Sequence, residues 1–327
     1  MSQTSHRDAI ARPQTMTSRR QFLLATIGGA ITAGFARAAD PGVPASTFDK
    51  ELEAVQARLA AAGIKGARSS TYEFYEGIGN SSDRHRDDAL KICYDLSTVY
   101  IKHFQDRRFR VEAPKRKLIV VSLKDRKSYE AFSENAPGAE VGGHYDLETN
   151  ALVVFDFRQD KEKRATSAQR INTFTLVHES LHQLMYNTGL LSRQADVPVA
   201  ISEGLAAYGE LWQSSAKRAP FGRVNMSRLQ VLKDLRSNQK DAPTVESLLT
   251  KDDLFGDEDS SQAAYAQSWL LVHYFMRPDH VDKFRAYLIA VNTRTDASHR
   301  LEDAKTHLGD LNKLDASLRR YQTQQSR

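Results

Sequence analysis

The feature that most constrains the fold is an apolar helical stretch, residues 171–189, that contains two histidines and a glutamate. Gly189 stands where a helix would stop. His178 and His182 are four residues apart, so on a helix both imidazoles project from the same side. Burying two unpaired imidazoles among apolar residues is costly, so the sequence predicts a buried helix with a partner for both rings. The apolar residues at helical spacing are Ile171, Phe174, Val177, Leu181, Leu184 and Met185.

A metal ion is the partner that this spacing favours. Two imidazole nitrogens one turn apart can reach one zinc ion at about 2.0–2.1 Å each. Glu179 follows the first histidine, where its carboxylate is positioned to hold a metal-bound water. The alternative is that His178 and His182 form only a polar patch on a packed helix.

A catalytic zinc usually takes three protein ligands, so a third is expected downstream. The stretch SEGLAAYGE predicts a helix with Ser202 as its N-cap and Glu203 at its first turn. Gly204 and the alanines after it keep this helix thin, so it can approach the histidine helix closely. Glu203 is the preferred third ligand, and Glu210 and Asp196 are alternative carboxylates. The competing interpretation of Glu203 is a carboxylate that favours its own helix dipole.

The mature chain changes character near its middle. Strand-like runs occupy residues 69–77, 117–123 and a hairpin over 142–157, and from about Thr166 the pattern is helical to the end. This order predicts an α+β fold: a small mixed sheet with an edge hairpin, followed by a mainly helical half that carries the histidine helix. The single cysteine, Cys93, excludes an internal disulfide and is expected to be a small buried apolar residue.

The N-terminus predicts export. Residues 18–23, SRRQFL, resemble a twin-arginine signal and precede an apolar run that ends in small residues near Ala38. That run is short for a membrane span, so no stable membrane insertion is expected after cleavage, although an uncleaved anchor is the alternative. The predicted divisions are a signal at 1–38, a helical and strand region at 39–114, and a catalytic domain at 115–327.

The positive charge lies mostly in that signal. Residues 1–38 contain five arginines and one aspartate, a net charge of +4, whereas the whole chain carries +5. The rest of the chain is therefore nearly neutral. This distribution removes the electrostatic case for a nucleic-acid partner.

The motifs HESLHQL and SEGLAAYGE resemble those of the gluzincin zinc metallopeptidases of the peptidase MA superfamily. The order HExxHQL, NTG, SEGxAxYxE and YAQSWxLVHY is most similar to a largely uncharacterised bacterial group of that superfamily, over roughly residues 115–290. Ala200 departs from the tryptophan expected before SEG. The resemblance implies a gluzincin, or thermolysin-like, catalytic domain with one zinc ion per chain.

The resemblance implies two further parts of the site. One is an oxyanion-stabilising side chain, for which Tyr265 is the preferred candidate and His273 the alternative. The other is an edge strand that pairs with an extended substrate, expected at Gly142 and Gly143. An ordinary hairpin that caps a small sheet is the competing interpretation of this segment.

The expected function is that of a periplasmic or secreted zinc peptidase that acts on a peptide or protein and is exported by the twin-arginine machinery. Two alternatives stay open: a non-catalytic envelope-binding protein on a metallopeptidase fold, and a zinc amidase acting on cell-wall peptides. The substrate and the choice between endo- and exo-cleavage do not follow from the sequence.

Overall fold

The computed structural model describes most of the chain after the signal segment. Among the described residues, no helix is both long and apolar enough to cross a membrane. The predicted signal at residues 1–38 lies outside the described part of the chain. The described residues are 45–133, 142–159, 165–214, 221–256 and 260–326.

The described strands form one mixed sheet in the order β1-β2-β3-β5-β4. The central strands β2, β3 and β5 run parallel, and an antiparallel hairpin partner closes each side. This confirms the small mixed sheet with an edge hairpin. The strands are β1 Arg68–Tyr72, β2 Tyr75–Gly79, β3 Leu118–Leu123, β4 Gly143–Asp146 and β5 Ala151–Phe155.

The run expected as one strand at 69–77 is instead a hairpin of two. Glu73 lies between β1 and β2 and takes a positive φ of 53°. That tight turn folds the segment back on itself, and alternation of side chains alone does not reveal it.

The central strand β3 is buried on both faces, which explains its continuous apolar sequence. Leu118 and Val120 pack into the larger core beneath the sheet. Ile119 and Val121 belong to a smaller core on the other face. Cys93 is fully buried in the larger core, as expected.

In the described part of the chain, every secondary-structure element after β5 is a helix. The mixed first half and the helical second half are therefore both present. The histidine helix α4 ends at Asn187, and Gly189 follows it with a positive φ of 85°, as the sequence predicts. The helices are α1 Ala45–Ala61, α2 Asp83–Gln105, α3 Arg126–Phe132, α4 Ala165–Asn187, α5 Val199–Gly209, α6 Met226–Ser237, α7 Val245–Thr250, α8 Ser261–Phe275, α9 Val281–Val291, α10 Arg300–Leu308 and α11 Leu311–Gln325.

Candidate metal centre

The histidines of α4 lie inside the protein. His178 is fully buried and His182 is 6% exposed. Their Nε2 atoms are 3.3 Å apart, so both rings direct the same nitrogen toward one point. The one-turn spacing in the sequence therefore brings the two rings together as predicted.

The third member of the group is Glu203 on α5. Its Oε2 atom lies 3.2 Å from Nε2 of His178 and 3.5 Å from Nε2 of His182. Glu203 is 1% exposed. Three donor atoms from two helices thus converge in a buried position.

This geometry fits a metal ion. Donor atoms at about 2.0–2.1 Å from a tetrahedral zinc would be about 3.3 Å from one another. The three donors here are separated by 3.2–3.5 Å. His178, His182 and Glu203 can hold a metal ion.

The helix that carries Glu203 begins earlier than the sequence predicts. Helix α5 starts at Val199, directly after Pro198, and the Ser202 hydroxyl donates to the Val199 carbonyl inside the helix. The N-cap expected at Ser202 is therefore wrong. Proline is well tolerated at this position because the N–H groups at the start of a helix have no intrahelical acceptor, so the missing N–H of Pro198 costs no hydrogen bond. Glu203 consequently lies in the second turn, away from the helix end where a dipole interaction is strongest.

Gly204 of α5 makes a different close contact from the expected one. A Cβ atom on Gly204 would lie 2.6 Å from the backbone oxygen of Ser268 and 2.8 Å from Val272. The helix that needs Gly204 to approach closely is thus α8. That packing fixes α5 from behind while Glu203 faces the histidines.

Glu210 is a second carboxylate at the centre, but it contacts the other nitrogen of the His178 ring. Its Oε2 atom lies 2.9 Å from Nδ1 of His178. A hydrogen bond from Nδ1 to a carboxylate leaves Nε2 of the same ring as the lone-pair nitrogen. Glu210 thereby orients His178 toward the other two donors.

Glu210 is itself held by two side chains of the α6 region. Arg228 donates from Nε at 3.1 Å and from Nη2 at 3.2 Å, and Asn225 donates from Nδ2 at 2.6 Å. Burial alone would raise the pKa of Glu210, but the Arg228 charge and the His178 hydrogen bond lower it to about 2. Glu210 is therefore a fixed anion beside His178.

The first turn of α5 is anchored by residues from later in the chain. Asp252 accepts a hydrogen bond from the Val199 N–H at 3.1 Å. Arg300 joins this aspartate to Asp196, with 2.9 Å to Asp252 and 2.6 Å to Asp196. Asp196 thus belongs to an ion-pair cluster that supports α5. Glu203, and not Asp196, places its carboxylate beside the two histidines.

Glu179 directly follows the donor His178 on α4 and is 3% exposed. Its Oε2 atom accepts a hydrogen bond from the backbone N–H of Tyr145 at 3.2 Å. Tyr145 belongs to β4, so the side of this strand that faces away from β5 is directed at Glu179. The Tyr145 ring stacks on Tyr186 at 5.9 Å, and Tyr186 follows His182 by one helical turn.

The two candidate oxyanion residues occupy different surroundings on α8. Tyr265 is buried, and Arg228, the residue that holds Glu210, lies over its ring at 5.5 Å. His273 points elsewhere: its Nδ1 is 2.7 Å from the Tyr321 hydroxyl on α11, and its ring packs on Trp269.

Gly142 and Gly143 allow close packing within the protein. A Cβ atom on Gly142 would lie 2.4 Å from Phe157, and one on Gly143 would lie 2.7 Å from the Val153 oxygen. Thr175 of α4 lies within about 3 Å of both added atoms. The space beside these glycines is thus filled by α4 and the strand's own neighbours.

Comparison with known proteins finds a family model that matches part of the chain. Residues 172–296 match the model of a family described as a protein of unknown function, DUF1570. The matched segment contains all three donors, Glu179 and both α8 candidates. No curated protein matches the chain.

Two contacts of the centre could not be predicted from the sequence. Glu210 lies seven residues after Glu203, so both share a helix face, but their distinct roles depend on how α5 crosses α4. The contact between Glu179 and Tyr145 joins positions 34 residues apart and has no local signal.

Proposed function

We propose that this protein is an exported zinc-dependent hydrolase that cleaves peptide bonds, with a gluzincin-like catalytic domain. The observation that carries the proposal is the convergence of His178, His182 and Glu203 at 3.2–3.5 Å, next in the chain to Glu179, whose carboxylate accepts a hydrogen bond from Tyr145. Three protein donors, two imidazoles and one carboxylate, are the set expected for a catalytic zinc with an open position.

Zinc is preferred over other divalent ions because of the donor chemistry. Magnesium and calcium favour sites made of oxygen ligands, whereas two imidazole nitrogens suit zinc and its transition-metal neighbours. The mutual distances also match a tetrahedral arrangement. When bound, zinc would supply a Lewis acid that activates water and polarises the scissile carbonyl.

Glu179 would act as the general base and acid. Its carboxylate would take the proton of the attacking water and deliver it to the leaving amine. The Tyr145 N–H holds one carboxylate oxygen, which restricts the rotation of the side chain without neutralising its charge. That contact supports a carboxylate held in one position.

Tyr265 is the preferred group for stabilising the oxyanion. It lies on the same face of α8 as Ser268 and Val272, which contact α5 at Gly204. His273 is less suitable because Tyr321 interacts with its Nδ1 and aromatic rings surround it. A phenol hydroxyl would donate to the developing negative charge and remain neutral at physiological pH.

Strand β4 would position the substrate. Its outer side faces Glu179, as the Tyr145 N–H contact indicates, and an extended peptide could pair there. The glycines at its start would keep that strand close to α4. The substrate is accordingly proposed to be a peptide or protein in an extended conformation.

Export is proposed from residues 1–38 alone, through the twin-arginine pathway to the periplasm or beyond. That pathway carries folded proteins, which suits a centre whose donors come from two packed helices. Metal could then be acquired before export.

The deciding experiment is cleavage of a peptide library by the mature, zinc-loaded protein and by Glu179→Gln. General acid–base catalysis contributes about 10²–10⁴-fold, so the variant should lose at least about a hundredfold in rate while it keeps one zinc per chain. Glu302→Gln is the matched control, because Glu302 is 79% exposed on α10.

Equal cleavage by Glu179→Gln and the parent protein would contradict the assignment of the base. Purified peptidoglycan incubated in parallel tests the amidase alternative, which predicts release of wall fragments and intact library peptides. Zinc binding without cleavage of either material would favour the non-catalytic alternative.

A further inference from the structure

Helix α1 carries one buried carboxylate, that of Glu51. Glu51 is 7% exposed and accepts hydrogen bonds from three side chains that come from separate parts of the chain. Arg116 pairs with Oε2, Arg193 donates to Oε1 at 2.9 Å, and Asn150 approaches Oε2 at 3.4 Å. Two arginines and an amide thus converge on Glu51.

Asn150 connects Glu51 to the histidine helix and to β4 by side-chain hydrogen bonds. It exchanges two amide hydrogen bonds with Asn187 of α4, at 2.7 and 3.0 Å. Its Oδ1 also accepts the Tyr145 hydroxyl. Asn150 is 1% exposed with a φ of 55°, so its backbone holds the β4–β5 turn in the left-handed region that asparagine tolerates.

Tyr145 joins this network to the proposed base. Its hydroxyl bonds to Asn150, and its backbone N–H donates to Glu179 at 3.2 Å. One residue therefore contacts the network with its side chain and the base with its backbone. A shift of β4 would move the hydrogen bond on Glu179 directly.

A second contact ties α1 to the same strand. Arg58, two turns after Glu51, pairs with Asp146 at 2.7 Å. Burial alone would raise the pKa of Asp146, but the Arg58 charge and hydrogen bond lower it below its ordinary value. Asp146 is the last residue of β4, so α1 holds the strand at its end as well as through Asn150.

We propose that Glu51 is a positioning residue for Glu179, acting through Asn150 and Tyr145. The inference rests on the proposed role of Glu179 as the base. Glu51, Tyr145 and Asn150 all precede the family-matched segment, 172–296. The functional unit would therefore extend to α1, near the N-terminal end of the described chain.

The test measures the exchange of the Tyr145 amide hydrogen with solvent in the zinc-loaded mature protein, resolved by mass spectrometry of fragments from residues 143–155. Loss of one supporting hydrogen bond should raise this rate by about tenfold in Glu51→Gln. Glu53→Gln is the matched control because Glu53 lies on the same helix and is exposed. It should leave the rate unchanged.

Glu51→Gln also removes the anion that pairs with the partly buried Arg116 and Arg193, so a milder variant is needed. Tyr145→Phe removes only the hydroxyl that bonds to Asn150 and keeps the charges around Glu51. It should raise exchange of the residue 145 amide by a similar factor, with zinc affinity within about twofold of the parent, since no zinc donor is touched. Glu179→Ala removes the acceptor and sets the upper limit of the rate.

Unchanged exchange in Tyr145→Phe would overturn the proposal. So would a rise of equal size in Glu53→Gln, or a uniform rise that includes α9–α11, which a general loss of stability would produce. Because exchange needs no substrate, the result is independent of peptide cleavage. Equal cleavage by Glu179→Gln and the parent would therefore refute Glu179 as the base, whereas the exchange rates judge this structural link separately.

Discussion

One group of buried histidines lies on α4, a second group of partly buried histidines joins α2 to α8, and the two groups differ in what their nitrogens face. At the candidate metal centre, the Nε2 atoms of His178 and His182 face each other and a carboxylate. In the second group, His103 lies 3.0 Å from the Tyr208 hydroxyl and His273 lies 2.7 Å from the Tyr321 hydroxyl. We call His103, Tyr208, His273 and Tyr321 the tyrosine-histidine cluster.

The difference teaches how a buried imidazole can be satisfied. A tyrosine hydroxyl can donate to or accept from a neutral ring, so the tyrosine-histidine cluster is complete with protein groups. Two facing Nε2 atoms and a carboxylate oxygen lack enough protons to satisfy one another when both rings are neutral. A cation resolves that arrangement, which is why the first group predicts metal and the second does not.

The largest expected effect separates the two groups by metal content. His182→Ala should lower zinc affinity by at least about a hundredfold, because two donors cannot replace a three-donor site. His273→Ala, the matched change in the tyrosine-histidine cluster, should keep one zinc per chain. Elemental analysis after dialysis and chelator competition measure both. Equal zinc loss in the two variants would remove the distinction.

A smaller effect is expected for the carboxylate behind His178. Glu210→Gln should weaken zinc binding by about 10–100-fold, because it removes the anion that fixes the orientation of the ring. Glu112→Gln provides the control, since Glu112 is 72% exposed. Competition titration with a chromophoric chelator gives the affinities. If Glu210→Gln binds zinc as tightly as the control, the carboxylate has no orienting role.

The smallest effect concerns the pH dependence of the tyrosine-histidine cluster. Burial lowers the pKa of His273 from 6.5 to about 4 and that of His103 to about 3. The unfolded chain therefore binds more protons in this range. The stabilisation is fully present above pH 6.5 and is lost as the pH falls toward 4.

His273→Gln removes one titrating group, so its unfolding free energy should fall less between pH 6.5 and 4 than that of the parent. With allowance for the partly exposed ring, the difference should be about 1–2 kcal/mol. Urea unfolding of the metal-free proteins at several pH values measures it. His299→Gln, at a 43% exposed side chain, should reproduce the parent's slope. A parallel slope for His273→Gln would show that the cluster does not titrate.

Local patterns predicted much of the fold and the donors. The apolar run at β3 and Gly189 at the end of α4 each depend on neighbouring residues. The pairing of His178 with His182 depends only on helical periodicity. The prediction of Glu203 as the third donor rests instead on the second helix expected at SEGLAAYGE.

What the sequence did not reveal depends on contacts between distant segments. Helix α5 starts at Val199 rather than at the local signal of Ser202, and Asp252, more than fifty residues later, accepts a hydrogen bond from the Val199 N–H. Glu51 accepts a hydrogen bond from Asn150, which lies 99 residues later in the chain. The helical pattern of α1 gives no indication of which partner its carboxylate will find.

The Arg300 cluster bears on the order in which the centre can be assembled during synthesis. A nascent chain that has reached only residue 250 possesses His178, His182 and Glu203, but it lacks Asp252 and Arg300, which hold the first turn of α5. Both histidines then share one helix while the third donor stands on an unanchored one. A metal ion that arrives at that time meets two fixed ligands, and the third becomes fixed only after α10 has been made.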